Sequence, residues 1–274
     1  MIIDAHQHVW RIGENDCTWP TPDLSAIHRH FDMKDLAPLA AALGVVGTVL
    51  VQSQPSDRDT AFLLRVAEGA DLVEAVVGWV ELPSSLAPSR IEALAARPKM
   101  RGLRPMLQAL EADDWILDRR LDPAIATMKS HGLCFDALVR ERHLPHLRTF
   151  AERHPDLPIV IDHGAKPAIA SGVLEPWRSQ IAAFEALPNV YCKLSGLLTE
   201  AAPGQGTDAL KPYAEHLLET FGPDRLMWGS DWPVLELAGH YAGWLEMARE
   251  LCGTTDRVSL RAIFGETARR FYRI

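Results

Sequence analysis

Several large protein classes are excluded by what this sequence lacks. Only 4 of its 274 residues are cysteines (Cys17, Cys134, Cys192 and Cys252), and none forms a CxxC pair. Neither a disulfide framework nor a thiolate zinc cluster is expected, and a reducing, cytoplasmic setting follows. Cys134 and Cys192 fall in apolar runs, where a thiol acts as a small hydrophobe. No window approaches the roughly 18 uninterrupted apolar residues of a membrane span, and the N-terminus shows no secretory signal. No lysine–arginine cluster stands out, and the formal charge is −8, so neither nucleic acid nor a membrane surface is an expected partner. GxGxxG does not follow the first strand, which weighs against dinucleotide binding. The absence of GxSxG disfavours a serine hydrolase.

What remains is an ordinary globular composition, 47% apolar and 23% charged, long enough for one large core. Eight short apolar or β-branched runs recur along it: 2–8, 47–54, 74–80, 101–107, 132–138, 158–163, 189–196 and 225–231. Helical segments lie between them. MKDLAPLAAALG follows Asp32 and is closed by Gly44, and Asp122 reads as the N-cap of PAIATMKSHG. Strand–helix alternation implies parallel pairing, and eight units in this length predict an α/β fold, a (β/α)8 barrel. Two further helices extend the C-terminal tail, and one domain over residues 1–274 is expected.

Active sites of such barrels lie at the C-terminal ends of the strands. The polar residues of the runs gather there: His6 and His8, Gln52 and Gln54, Arg104, Asp136, His163, Lys193 and Ser195, and Asp231. Residues two apart on a strand share a face, so His6 and His8 point together, as do Lys193 and Ser195. Burying so many titratable groups without a task is costly, which makes His6, His8, His163 and Asp231 a candidate site.

An HxH on strand one, a histidine ending strand six and an aspartate ending strand eight resemble the amidohydrolase superfamily. DAHQHVW, VVGWVEL, DHGAKP, YCKLSGL and GSDWP are similar in order to its lactonase branch, which includes fuconolactonase-like sugar lactonases and 2-pyrone-4,6-dicarboxylate lactonases. The resemblance implies hydrolysis of a lactone, a sugar-acid lactone of the L-fucono or L-rhamnono type, with Asp231 as general acid/base and His6, His8 and His163 beside it. Two-metal members carry a lysine or glutamate on strand four and a histidine on strand five, where this chain has Arg104 and Asp136. Arginine stays protonated and cannot ligate, so the expectation is one divalent ion, zinc first, on His6, His8, His163 and Asp231, or metal-free catalysis.

Substrate binding is expected from Arg104, Lys193, Gln52, Trp10, Trp79 and Asp136, with Trp19 on the loop after strand one. His28 and His30 repeat the HxH spacing but read as an exposed loop, and the remaining histidines as helix or surface residues. Two alternatives stay open: a metal-dependent decarboxylase of the same superfamily, and a barrel that binds a sugar acid without catalysis.

Overall fold

A computed structural model describes residues 1–253 and 256–274. Eight strands, β1 (Ile2–Gln7), β2 (Val45–Val51), β3 (Val73–Gly78), β4 (Met100–Leu103), β5 (Cys134–Ala137), β6 (Ile159–Ile161), β7 (Val190–Leu194) and β8 (Leu226–Trp228), pair in sequence order. Every pairing is parallel. The seam between β8 and β1 is closed by the segment after β8. Asp231 N donates to the His6 carbonyl (2.8 Å), and His8 N donates to the Trp232 carbonyl (2.7 Å). The expected (β/α)8 barrel is present.

Helices α1 (Met33–Ala42), α2 (Asp57–Glu68), α3 (Ala87–Ala95), α4 (Asp122–Ser130), α5 (Leu144–Arg153), α6 (Trp177–Ala182) and α7 (Thr207–Arg225) fill the crossovers. The tail adds α8 (Tyr241–Leu251), α9 (Arg257–Arg261) and α10 (Thr267–Tyr272). Asp32 caps α1 in a reciprocal capping box with Asp35. Asp122 is not the N-cap of α4 but its first residue, because Leu121 ends a preceding 3-10 turn and occupies the cap position without a side-chain bond.

The strands stop earlier than the apolar runs suggest. His8, Gln52, Gln54, Arg104, His163, Ser195 and Asp231 all lie just past the last paired residue. Once out of the ladder, each is free to adopt the backbone that aims its side chain. Asp231 takes φ 58°, and His163, Gly164, Ala165 and Lys166 make a run of four left-handed residues. Such conformations strain non-glycine residues by about 1–2 kcal/mol each and persist only where the surroundings enforce them.

Two apolar layers hold the barrel. Outside the sheet, helices and strands share one continuous core. Inside its lower half, Ile3, Val49, Ala75, Val77, Cys134, Val160 and Met227 pack with Ala268, Phe271 and Tyr272, so α10 plugs the barrel from beneath. Among the described residues, no helix is long and apolar enough to cross a membrane.

Candidate active site

Four side chains meet at the upper end of the barrel. The Nε2 atoms of His6 and His8 are 3.2 Å apart. Asp231 Oδ1 lies 3.3 Å from His8 Nε2, 3.6 Å from His6 Nε2 and 3.8 Å from His163 Nε2. All four residues are at most 3% exposed. Two glycines make the approach possible. A Cβ on Gly229 would sit 2.8 Å from His6 Cβ, and one on Gly196, itself at φ +62°, 2.6 Å from His163 Nδ1.

A second ring of contacts aims these imidazoles. His8 Nδ1 faces the Val51 carbonyl at 2.8 Å, and His163 Nδ1 faces Ser195 Oγ at 2.8 Å. In both cases Nε2 is left pointing at Asp231. Asp4 locks the seam below them, accepting from Ser230 N (2.8 Å), His6 N (3.1 Å) and the Tyr241 hydroxyl (2.9 Å).

Burial sets the charge states. It depresses the basicity of all three histidines, taking His163 down to about 4 even though Asp231 beside it opposes the change. Burial pushes Asp231 the other way, upward, but His163, His8 and His6 outweigh it and hold this carboxyl well below the ordinary range. At neutral pH the site is therefore one carboxylate among three neutral imidazoles.

Beneath the histidines lies a buried ionic layer. Lys193 Nζ, fully buried, is 2.6 Å from Asp136 Oδ2, 2.9 Å from Asp162 Oδ1 and 3.0 Å from His6 Nδ1. The Tyr272 hydroxyl donates to Asp136 Oδ2 at 2.7 Å. Arg104 Nη1 reaches Asp162 Oδ2 at 3.3 Å, and its Nη2 donates to the Gln52 carbonyl. Burial raises Asp162, but Lys193, His6 and Arg104 reverse the effect and keep it ionised. Two cations matched by two carboxylates avoid the penalty of lone buried charges.

Above the histidines opens a cleft of about 350 Å³, a volume suited to a small ligand. His8, Arg104, His163 and Asp231 form its polar floor, with Lys166 and Gln108 also on its surface. Trp19, Pro55, Met106, Leu138 and Val234 form an apolar wall.

Other expected contributors lie elsewhere. Trp10 is fully buried under the loop after β1, against Trp19 and Phe31, its Nε1 donating to the Arg29 carbonyl. Gln52 braces Arg104 from behind, donating to its carbonyl at 2.7 Å, and Trp79 and Gln52 are absent from the cleft lining. Lys193 and Asp136 are fully buried in the ionic layer and are not among the residues that line the cleft. Two of the pairs diverge past their strand ends, with Gln54 holding the Trp19 carbonyl and Ser195 turning to His163, whereas His6 and His8 stay together.

Sequence reasoning missed Asp162, Lys166, Gln108 and Tyr272. Asp162 had a signal, an acid beside a histidine at the end of the run PIVIDH. Tyr272 had none, because nothing local reveals that the last helix enters the barrel.

The four nitrogen and oxygen atoms suit a metal. A tetrahedral ion with ligands at about 2.0–2.2 Å needs donors roughly 3.3–3.6 Å apart. The spacings from Asp231 Oδ1 to the three imidazoles and between His6 and His8 run from 3.2 to 3.8 Å. Imidazoles with one carboxylate are a donor set that zinc accepts. His6, His163 and Asp231 alone bring one donor each within 4.8 Å of one another.

The Amidohydrolase family profile matches residues 3–274. An L-fucono-1,5-lactonase of Burkholderia ambifaria is 52% identical over 99% of this chain and 95% of that protein. An L-fucono-1,5-lactonase of Burkholderia multivorans is 35% identical over 98% of this chain and 95% of that protein. A crystal structure of an amidohydrolase from Burkholderia multivorans with bound zinc superimposes with a TM-score of 0.95 at 32% identity, covering 100% of this chain and 99% of that one.

Proposed function

The chain belongs to the amidohydrolase family, and we propose that it is a lactonase that opens L-fucono-1,5-lactone with water. The observation that carries this reading is Asp231. It is a carboxylate kept ionised among neutral imidazoles, at the floor of a cleft wide enough for a single sugar ring.

The residues divide the work as follows. The apolar wall of Pro55, Met106, Leu138 and Val234 receives the unhydroxylated C6 carbon, while Gln108 and Arg104 meet the ring hydroxyls and the carbonyl. Gln108 Oε1 and Arg104 Nε are buried and have no hydrogen-bond partner within the protein. A water between Asp231 and the carbonyl carbon attacks, and Asp231 Oδ1 takes its proton. A carboxylate of such low basicity accepts that proton only once the new C–O bond is well formed. Arg104 supplies a fixed positive charge for the tetrahedral oxyanion. Asp231 then returns the proton to the ring oxygen, the bond from that oxygen to the carbonyl carbon breaks, and the carboxylic acid so formed loses its own proton to solvent and leaves as its carboxylate. Lys166, paired with Glu200 at 3.0 Å on the cleft surface, meets this new negative charge.

The residues that would hold a divalent ion are His6, His8, His163 and Asp231. When bound there, such an ion supplies Lewis-acid polarisation of the carbonyl and acidifies the attacking water.

Of the alternatives the sequence leaves open, decarboxylation and binding without catalysis have no support comparable to two lactonase relatives aligned over nearly the whole chain. Cys17, Cys134 and Cys192, all buried thiols, fit the reducing cytoplasm we propose as its compartment. The test is a pair of substrates. L-Fucono-1,5-lactone should be opened with a kcat/KM about 10²-fold above L-galactono-1,5-lactone, whose extra C6 hydroxyl meets the apolar wall. Equal rates on the two would remove the assigned wall, and no turnover of either would remove the lactonase reading.

A further inference from the structure

At the centre of the site two imidazole nitrogens face each other, His6 Nε2 and His8 Nε2, at 3.2 Å. Two lone pairs at that distance repel, so either a proton or a cation must lie between them. His8 cannot be the source of the proton while it is neutral. Its single N–H is claimed by the Val51 carbonyl, 2.8 Å from Nδ1, which leaves Nε2 as an acceptor.

What faces the other side of His6 decides the matter. Lys193 Nζ is 3.0 Å from His6 Nδ1 in hydrogen-bond geometry, and it holds Asp136 Oδ2 at 2.6 Å. An ammonium has three N–H groups and no lone pair, so toward His6 it can only donate. We infer that Lys193 donates to His6 Nδ1 and thereby fixes the proton of His6 on Nε2, making His6 a hydrogen-bond donor into the site when no metal is present.

The protons then run in one direction, from Lys193 to His6, from His6 to His8 and from His8 to the Val51 carbonyl. Every donor in this chain meets an acceptor. Two contacts oppose this order. Asp231 Oδ1 lies 3.3 Å from His8 Nε2 with no proton between them. Arg104 Nη1, 3.4 Å from His6 Nε2, would require that nitrogen to accept. The Arg104 contact is longer than the Lys193 contact, and Arg104 Nη1 already serves Asp162 Oδ2 at 3.3 Å. Lys193 is in turn held from below, since Asp136 is pinned by the Tyr272 hydroxyl at 2.7 Å. The last helix of the chain thus reaches through the barrel floor to a tautomer at its mouth.

A metal demands the other tautomer. His6 can offer Nε2 to an ion only with its proton on Nδ1, and an acceptor for that proton is at hand. Asp162 Oδ1 lies 3.4 Å away, where it also meets Lys193 Nζ at 2.9 Å. Lys193 is therefore a positioning residue that sets the choice of His6 between donor and ligand, and it weakens metal binding.

Imidazole ¹⁵N shifts distinguish the two tautomers directly. The experiment uses the chelator-treated full chain, with the His6 signals assigned by their loss in His6→Gln. The wild type should show Nε2–H at His6. Lys193→Met should show Nδ1–H, and it should bind zinc at least tenfold more tightly in chelator competition. Nδ1–H in the wild type, or Nε2–H retained in folded Lys193→Met, overturns the inference. If Lys193→Met does not fold, the wild-type spectrum alone decides. No substrate enters the measurement, so its failure leaves the lactonase reading untouched, and failure of that reading leaves this one standing.

Discussion

Replacing Asp231 by asparagine separates the chemistry of this residue from its structural part. Asp231 sits at φ 58°, a conformation that asparagine tolerates better than most residues. Its backbone bonds, N–H to the His6 carbonyl at 2.8 Å and carbonyl from Leu235 N at 3.0 Å, do not involve the side chain. An amide keeps an oxygen near His8, His6 and His163, whose Nε2 atoms lie 3.3, 3.6 and 3.8 Å from Oδ1, but it cannot take a proton from water. Loss of a positioned general base lowers kcat by about 10²–10⁴-fold, or roughly 2.7–5.4 kcal/mol of transition-state stabilisation. KM should change little, because the cleft wall is intact. Stability also carries a sign. The folded carboxyl is held below its unfolded value, so its stabilising share is present at neutral pH and lost as pH falls through the depressed value. Asp231→Asn removes that share and flattens the acid limb. The assay is acid release followed with a pH indicator, with spontaneous opening subtracted. A folded variant within about threefold of wild-type kcat refutes Asp231 as the base.

Three further outcomes follow from particular contacts. Gly196→Ala places a Cβ 2.6 Å from His163 Nδ1 at a φ of +62°, and should cost about 1–2 kcal/mol in urea unfolding while lowering kcat about tenfold. Lys166→Met removes the cation that meets the product carboxylate. It should weaken product inhibition by roughly tenfold while kcat on the neutral lactone stays near wild type, as read from progress curves with added hydroxy acid. Asp59, 1% exposed, is pushed by burial up to about 7 although Ser53 N and Gln54 N donate to it. The folded state then holds a proton that the unfolded chain releases near 4, so stability declines as pH rises through this window. Urea unfolding at both ends should show the slope in wild type and its absence in Asp59→Asn.

The barrel was legible because each parallel strand announces itself as a short apolar run between helices with marked ends. The four residues of the site were legible for a related reason. His6, His8, His163 and Asp231 are polar interruptions at the same end of such runs, and a barrel brings those ends together. What lay deeper was hidden. Asp136 and Lys193 occupy strand positions that look equally suited to substrate, and only the arrival of Tyr272 from beneath marks them as interior ion pairs. Trp10 and Trp19 sit on the same loop, yet one is core and the other lines the cleft. Their sides are set by the pairing of Trp10 with Phe31, an isolated bridge with no periodic signal. The left-handed turn from His163 to Lys166 likewise comes from tertiary enforcement, since only Gly164 in it favours that backbone.

The central claim is that this chain adds water to a lactone and that Asp231 handles the proton. It is tested most directly by following L-fucono-1,5-lactone by NMR with wild-type protein and with Asp231→Asn, each zinc-loaded and chelator-treated. The account predicts rapid conversion to the open hydroxy acid, without release of CO₂, by wild-type protein in at least one of the two states, and conversion near the spontaneous rate with the variant. Wild-type conversion no faster than the spontaneous opening in both states, or a folded variant as fast as wild type, contradicts it.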